Sequence, residues 1–301
     1  MNSHVRHIVL PLIAAFIWGT AFVAQSIGAE TLGPFAFNAM RSVVAFIVLA
    51  AGLLVYALFR RNLQAIVPRQ KVKKLLIGGA CCGTVLTVAS YLQQTGIAYT
   101  TSGKAAFITA LYIVLVPILG LFLRKRANVF VWIGVAAAVA GLYLLCVKEG
   151  FSLAMGDIYV ILCALVFSVH ILTVDHFAAE VNGVALSCVQ FLTMTVWSAI
   201  GMLFFETVPW EQTGEFLWPV LYVGVFSSGV AYTLQIVAQK GANPTVVSLL
   251  LSLESVFGVL AGALIQDEKM LPREYIGCAL MLAAVLLAQI PSKRNNKEAS
   301  V

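Results

Sequence analysis

Arg41 and Glu254 are the two side chains in this sequence whose placement most needs a chemical reason. Arg41 sits in FAFNAMRSVVAF, residues 35–46, and no other charge follows through Leu58. Glu254 sits in LLSLESVFGVLAG, an equally apolar setting. A guanidinium there can hold a carboxylate through two parallel N–H donors, or tie helices together. A carboxylate there can meet an ammonium group, take up a proton, or pair with the arginine.

Other polar and aromatic side chains fall at helical spacing. Thr87, Tyr91 and Gln94 stand at i, i+4 and i+7, which puts them on one face of a helix. Ser228, Tyr232 and Gln235 repeat the pattern, [ST]xxxYxxQ, later in the chain. Such a stripe suits the wall of a wet pathway, and an aromatic belt with an interfacial amide explains it nearly as well. Trp18 and Tyr112 could line a cavity or pack in a core. His170 could contact a ligand or proton, or serve as a hydrogen-bonded packing residue.

These residues lie in elements set by composition. The chain has 301 residues, 61% hydrophobic and 11% charged, too few charges for the surface of a soluble domain of that length. Apolar runs occupy residues 8–27, 34–58, 75–98, 104–123, 128–147, 157–178, 184–205, 216–237, 244–266 and 274–291. Each can cross the roughly 30 Å hydrocarbon core as a helix. The expected fold class is an all-α membrane protein with ten transmembrane helices. Arg41 is seven residues inside its run, so roughly 10 Å deep, and Glu254 is ten residues inside, roughly 15 Å. A charge at the centre of a span costs about 2.5–3.5 kcal/mol on insertion scales, and such residues usually face an interior or a cavity. Arg41 could relieve part of that cost by snorkelling to the outer interface.

Basic residues near the helix ends give the expected orientation. With the N-terminus inside, the inner segments carry Arg6, Arg60, Arg61, Arg69, Lys71, Lys73, Lys74, Arg124, Lys125, Arg126, Lys240, Lys293, Arg294 and Lys297. The outer segments carry Lys104, Lys148, Lys269 and Arg273, so fourteen against four places both termini in the cytoplasm. The net charge of +6 then reads as an orientation and anionic-lipid signal, and no aromatic-interleaved basic patch points to nucleic acid. The six cysteines, Cys81, Cys82, Cys146, Cys163, Cys188 and Cys278, fall within the runs and show no metal-ligand spacing. No cofactor or metal is expected.

The two halves of the chain repeat one another. A shift of 149 residues sets AAFIWGTAFVAQ over CALVFSVHILTV, so Trp18 meets Phe167 and Arg41 meets Gln190. A shift of 141 sets Gly83, Thr87, Tyr91 and Gln94 over Gly224, Ser228, Tyr232 and Gln235. At 142, Tyr112 meets Glu254 and Gly120 meets Gly262; at 143, WIGVAAAVAG meets YIGCALMLAA. The repeats divide at 1–150 and 151–301. Five spans is an odd number, so the copies insert with opposite orientation, and such repeats often bind substrate near the midplane. The first run resembles a signal peptide, but its partner later in the chain makes it an expected retained helix. Gly78, Gly79, Gly83, Gly258 and Gly262 are expected to permit close helix contact.

With WGTAF in the first run, an arginine in the second, TALYIVLVPILG in the fourth and LLSLESVFGVLAGALIQDE in the ninth, the chain resembles the EamA type of the drug/metabolite transporter superfamily. The resemblance covers roughly residues 8–291. It implies a ten-helix permease, often an exporter, that moves small metabolites such as amino acids through a central cavity. Ser255 stands where the family frequently has proline, and the basic RKR after Pro117 replaces an acidic residue often found there.

Together these readings predict a secondary transporter of a small polar or zwitterionic, amino-acid-like metabolite, working by alternating access in a bacterial inner membrane. Export as the direction comes from the resemblance alone. Arg41 would attract a carboxylate, Glu254 an ammonium group or a proton, and Gln190 would bond helix backbones or a ligand. The alternative is proton-coupled efflux of hydrophobic cations, with Glu254 as the coupling group. A membrane-embedded enzyme would need convergent nucleophile, base or metal ligands; His170, Glu254 and scattered serines lack motif spacing. The expected partners are the lipid bilayer and a small-molecule substrate, with the chain a monomer or a homodimer.

Overall fold

The computed structural model describes residues 3–60, 67–100, 102–123, 128–146, 154–265, 271–288 and 290, and no strand occurs among them. Arg61, Arg124, Lys125, Arg126, Lys148, Lys269, Lys293, Arg294 and Lys297, used above for orientation, lie outside the described residues, as does the expected boundary at 150/151. All ten apolar runs are helical over most of their described residues. Among the described residues, seven helices are long and apolar enough to cross a membrane: Arg6–Thr31, Pro34–Phe59, Arg69–Ile97, Ala105–Phe122, Met155–Ala178, Gly183–Phe205 and Trp210–Gln239. Val129–Leu145 and Pro244–Leu260 are shorter apolar helices, and the last run is a 17-residue helix, Pro272–Ala288. The chain is a multi-pass integral membrane protein.

The first three runs form α1 (Ser3–Thr31), α2 (Pro34–Arg60) and α3 (Val72–Ile97). The fourth is bent into α4 (Ser102–Ala110) and α5 (Tyr112–Phe122), and the fifth is α6 (Val129–Cys146). The second half begins with α7 (Met155–Ala178) and α8 (Gly183–Phe205). Its third run is composite: α9 (Thr213–Tyr222), a π-helical segment Val223–Ala231, and α10 (Tyr232–Gln239). The ninth run is bent into α11 (Pro244–Leu251) and α12 (Glu254–Ile265), and α13 (Pro272–Ala288) closes the fold. Turn chemistry follows the sequence. Asn182 caps α8 by accepting from the Val184 and Ala185 amides, and Asn243 caps α11 just before Pro244.

Packing follows the repeat. α3 lies on α7, and its exchanged counterpart is α1 against α9, the π segment and α10. α3 on α8 is matched by the π segment on α2, and α1 on α12 by α7 on α4 and α5. α2 pairs with its own equivalent α8, and α6 with α13. At the centre the exchange holds to single residues. A Cβ on Gly83 would stand 2.5 Å from the Gln190 carbonyl oxygen and 2.6 Å from Thr193 Cβ. A Cβ on Gly224 would stand 3.0 Å from the Arg41 carbonyl oxygen and 2.7 Å from Val44 Cβ. The same shift that sets Arg41 over Gln190 sets Val44 over Thr193. Two glycine notches thus seat two equivalent helices, the arrangement of an inverted pair.

Gly78 and Gly79 are also filled by neighbours, Phe177 and Val189. Gly258 is not, since its nearest contact would be an ordinary 3.4 Å. The tight residue at that crossing is Gly19 of α1, whose Cβ would lie 2.6 Å from the Glu254 carbonyl oxygen. The Gly262 side-chain position lies outside the described residues.

Two polar clamps join the halves near the helix ends. Glu206, at the end of α8, accepts from the Phe35 amide at 2.9 Å and the Ala36 amide at 2.7 Å, capping α2 from the other repeat. Lys74 of α3 pairs with the exposed carboxylate of Glu180, and Lys71 donates to its carbonyl. Lys74 holds the Glu180 carboxyl below its ordinary range. That increment is therefore present above the ordinary carboxylate value and is lost as pH falls through the lowered folded one.

Glu206→Ala should cost about 1 kcal/mol, the usual loss for an N-cap. Glu206→Gln, which keeps one acceptor oxygen, should retain part of that. Melting temperatures in detergent measure both; equal melting of Glu206→Ala and wild type would deny the cap any role. Lys74→Ala should shift the melting temperature less at acid pH than at neutral pH, and less in high salt.

Candidate functional site

Between the halves lies a cavity with about 470 Å³ of empty space, part of it open to solvent. Trp18, Phe22 and Gln25, at i, i+4 and i+7, present one face of α1 to it. Phe167 and Ile171 of α7 are the repeat equivalents of Trp18 and Phe22, at the shift of 149. Thr109 and Tyr112 face Leu251 and Glu254, equivalent at a shift of 142. Arg41, Gln93, Ser227, Tyr232 and Gln235 complete the wall.

The bends in the fourth and ninth runs position the charge. Leu111 and Leu253 each donate to the carbonyl three residues back, at 3.1 and 3.3 Å, so both helices tighten by one turn at equivalent points. Tyr112 is the first residue of α5 and Glu254 the first of α12. The two meet: the Tyr112 hydroxyl donates to Glu254 Oε1 at 3.2 Å. Equivalent residues of an inverted pair touch only near the axis that relates the halves, so Glu254 lies close to that axis. As the opening residue of a half-helix, its carboxylate also lies at the favourable end of the helix dipole.

Arg41 is 2% exposed and among the largest fully buried side chains. Its Nε donates to Asn38 Oδ1, one turn earlier, at 2.8 Å. Snorkelling is thereby excluded as its resting position. No ion pair within 4 Å joins Arg41 to Glu254, and Lys74–Glu180 is the only such pair among the described residues. The cavity wall thus holds one basic and one acidic side chain, together with aromatic rings. The Trp18 ring stands edge-on to Tyr232 with centroids 4.8 Å apart, and its indole N–H donates to the Ser227 carbonyl at 3.3 Å.

Six of the twelve residues singled out in the sequence line this cavity: Trp18, Arg41, Tyr112, Tyr232, Gln235 and Glu254. The others are placed elsewhere. His170 and Gln190 bond each other at 2.9 Å behind the wall, where the imidazole lies edge-on to Phe167 and Tyr232. Thr87 donates to the Gly83 carbonyl, Tyr91 stacks on Phe35 at 4.4 Å, and Gln94 donates to the Gln25 carbonyl. Ser228 is buried and does not line the cavity; Ser227 does.

The π segment accounts for that exchange. Its i→i+5 bonding turns the chain less per residue than an α-helix does. Ser227 and Tyr232, five apart, therefore share a face, where α spacing puts Ser228 with Tyr232. It also breaks the symmetry of the stripes. Gly83 and Gly224 make equivalent contacts, yet eight residues later Tyr91 stacks on Phe35 whereas Tyr232 lines the cavity. α3 is α-helical throughout that interval, and the eighth run is not. Phe22, Gln25, Gln93, Thr109, Phe167, Ile171, Ser227 and Leu251 were missed. Extending the repeat alignment one turn from Trp18 and from Tyr112 reaches four of them, Phe22, Ile171, Thr109 and Leu251.

Comparison with known proteins resolves the lineage. The model of the EamA-like transporter family matches the chain twice, at residues 6–147 and 154–289. The chain belongs to the EamA-like transporter family. An uncharacterized transporter of Archaeoglobus fulgidus is 29% identical over 282 residues, covering 92% of this chain and 84% of that one. The uncharacterized transporter YwfM of Bacillus subtilis is 27% identical and covers 96% of each chain. A solved crystal structure superposes with a TM-score of 0.76 at 20% identity, over 94% of this chain and 96% of that one, and shares the fold. This EamA-like protein is thus a membrane transporter whose relatives match along nearly its whole length.

If the Tyr112–Glu254 contact holds the centre, a double-mutant cycle of Tyr112→Phe and Glu254→Gln should give a coupling of about 1 kcal/mol in thermal stability. Strictly additive losses would show that the contact stabilises nothing.

Proposed function

We propose that this transporter moves a small zwitterionic, amino-acid-like metabolite by alternating access. The observation that carries the reading is the cavity wall itself: a buried guanidinium and a carboxylate, not bonded to each other, share it with five aromatic rings. A zwitterion satisfies both charges at once, and its side chain meets the rings. Arg41, held by Asn38 through Nε, keeps its terminal nitrogens for a carboxylate, which a guanidinium binds through two parallel donors. Glu254 receives the ammonium group, with cation–π support from Trp18 and Tyr232.

In this reading the two halves, residues 1–150 and 151–301, rock against each other about the central pair. Export as the direction, the bacterial inner membrane as the location, cytoplasmic termini, and a monomer or homodimer as the working unit belong to the same proposal. The direct test is uptake of the twenty radiolabelled amino acids by proteoliposomes; no transport across that panel would sink it. Arg41→Gln, which copies the equivalent Gln190, should raise KM tenfold or more, since a hydrogen bond to a charged group is worth about 1.5–3 kcal/mol.

A second reading, proton-coupled efflux of hydrophobic cations, is favoured by the same Glu254 among aromatic rings. It predicts that Arg41→Gln leaves cation efflux intact or raises it, while Glu254→Gln abolishes its pH dependence. Ethidium efflux from cells carrying each variant separates the two readings.

A further inference from the structure

Gln235 and Gln239 lie one turn apart on α10 and are both buried, at 1% and 0% exposure. Gln239 Nε2 donates to the Ile171 carbonyl oxygen of α7 at 2.9 Å. A backbone carbonyl can only accept, so it sets which way the Gln239 amide points. The Gln239 oxygen is then turned toward Gln235, whose Nε2 donates to it at 3.2 Å. That fixes the Gln235 amide in turn. Its oxygen, Oε1, is left with no hydrogen-bond partner among the described residues, in a side chain that lines the cavity.

A buried acceptor with nothing to accept from is unfavourable, and a two-link chain holds this one in place. The repeat equivalent, Gln94, spends its Nε2 directly on the Gln25 carbonyl, and its Oε1 also has no partner among the described residues, but Gln94 does not line the cavity. Of the two equivalent amides, only that of Gln235 belongs to a side chain on the cavity wall. We infer that Gln235 is a specificity-determining residue that accepts an N–H from the substrate's cationic group. The substrate is then a primary or secondary ammonium, and quaternary ammonium compounds are rejected.

This inference rests on the zwitterion reading above and sharpens it. The aromatic rings alone would suit a quaternary cation, since such cations are held by aromatic cages. A quaternary nitrogen has no N–H, so it would leave both Gln235 Oε1 and the Glu254 carboxylate without a donor. Sites built to hydrogen-bond a substrate N–H reject analogues that lack it, because their polar groups are left unpaired.

The test uses the full chain in proteoliposomes. The twenty radiolabelled amino acids are screened for uptake, and each transported one is competed with its own N,N,N-trimethyl derivative. The trimethyl form should compete at least tenfold more weakly than the parent, and Gln235→Leu should lower that ratio severalfold, leaving only the share that Glu254 contributes. Gln239→Leu, which frees the amide to turn, should lower the ratio while leaving Gln235 in place. Gln235→Glu, which keeps an acceptor oxygen, should preserve it. A wild-type trimethyl form that competes within twofold of its parent overturns the inference while the zwitterion reading stands. A ratio unchanged in both leucine variants also overturns it. Uptake of none of the twenty defeats the zwitterion reading and this inference with it.

Discussion

Two helix crossings without side chains between them set everything else. Gly83 lets α3 approach the backbone of α8 at Gln190, and Gly224 lets the π segment approach α2 at Arg41. In a bilayer the lipid tails are as apolar as the helices, so association depends on close packing and hydrogen bonding instead of on expelling water. The glycine notches supply that packing at the centre, and they hold α2 where Arg41 can face the interior. A larger residue at either notch would push a carbonyl away and carry the arginine or its equivalent with it.

Upon that frame the cost of burying charge is met locally. Asn38 takes the arginine's Nε, and Tyr112 donates to Glu254. Each charge is supported by one neutral partner, and neither neutralises the other. A direct ion pair would satisfy both groups internally and leave the cavity wall with no charged group free for a ligand. Keeping the charges apart leaves both available to a ligand that carries the opposite pair. Glu254 sits where two equivalent half-helices begin, so the group most tied to the symmetry axis is also the one most exposed to any change in how the halves meet.

Much of this was legible in the residues. The ten runs, the repeat and the two buried charges follow from hydropathy and self-comparison, because a bilayer demands helices and the duplication kept its spacing. The notch residues could be paired in advance, since Gly83 over Gly224 and Arg41 over Gln190 hold in both sequence and contact. The phase of the eighth run was not legible. A π segment has no composition of its own here, so α periodicity assigned Ser228 to a face that Ser227 occupies. The bends before Tyr112 and Glu254 leave no glycine or proline at the turn itself, and pattern reading passes over them. His170 and Gln190 each read as a packing residue or a ligand group; no spacing rule announces that they bond each other.

The π segment has one more consequence. The two copies carry the same number of residues between the shared glycine and the shared glutamine, Gly83 to Gln94 and Gly224 to Gln235. Their residue types also match at every polar position of the stripe but Thr87/Ser228. Substitution therefore did not turn one glutamine to the cavity and the other to a backbone carbonyl; winding did. A duplicated membrane protein can break its own symmetry by pitch alone, giving one inherited motif two occupations with its lettering nearly intact.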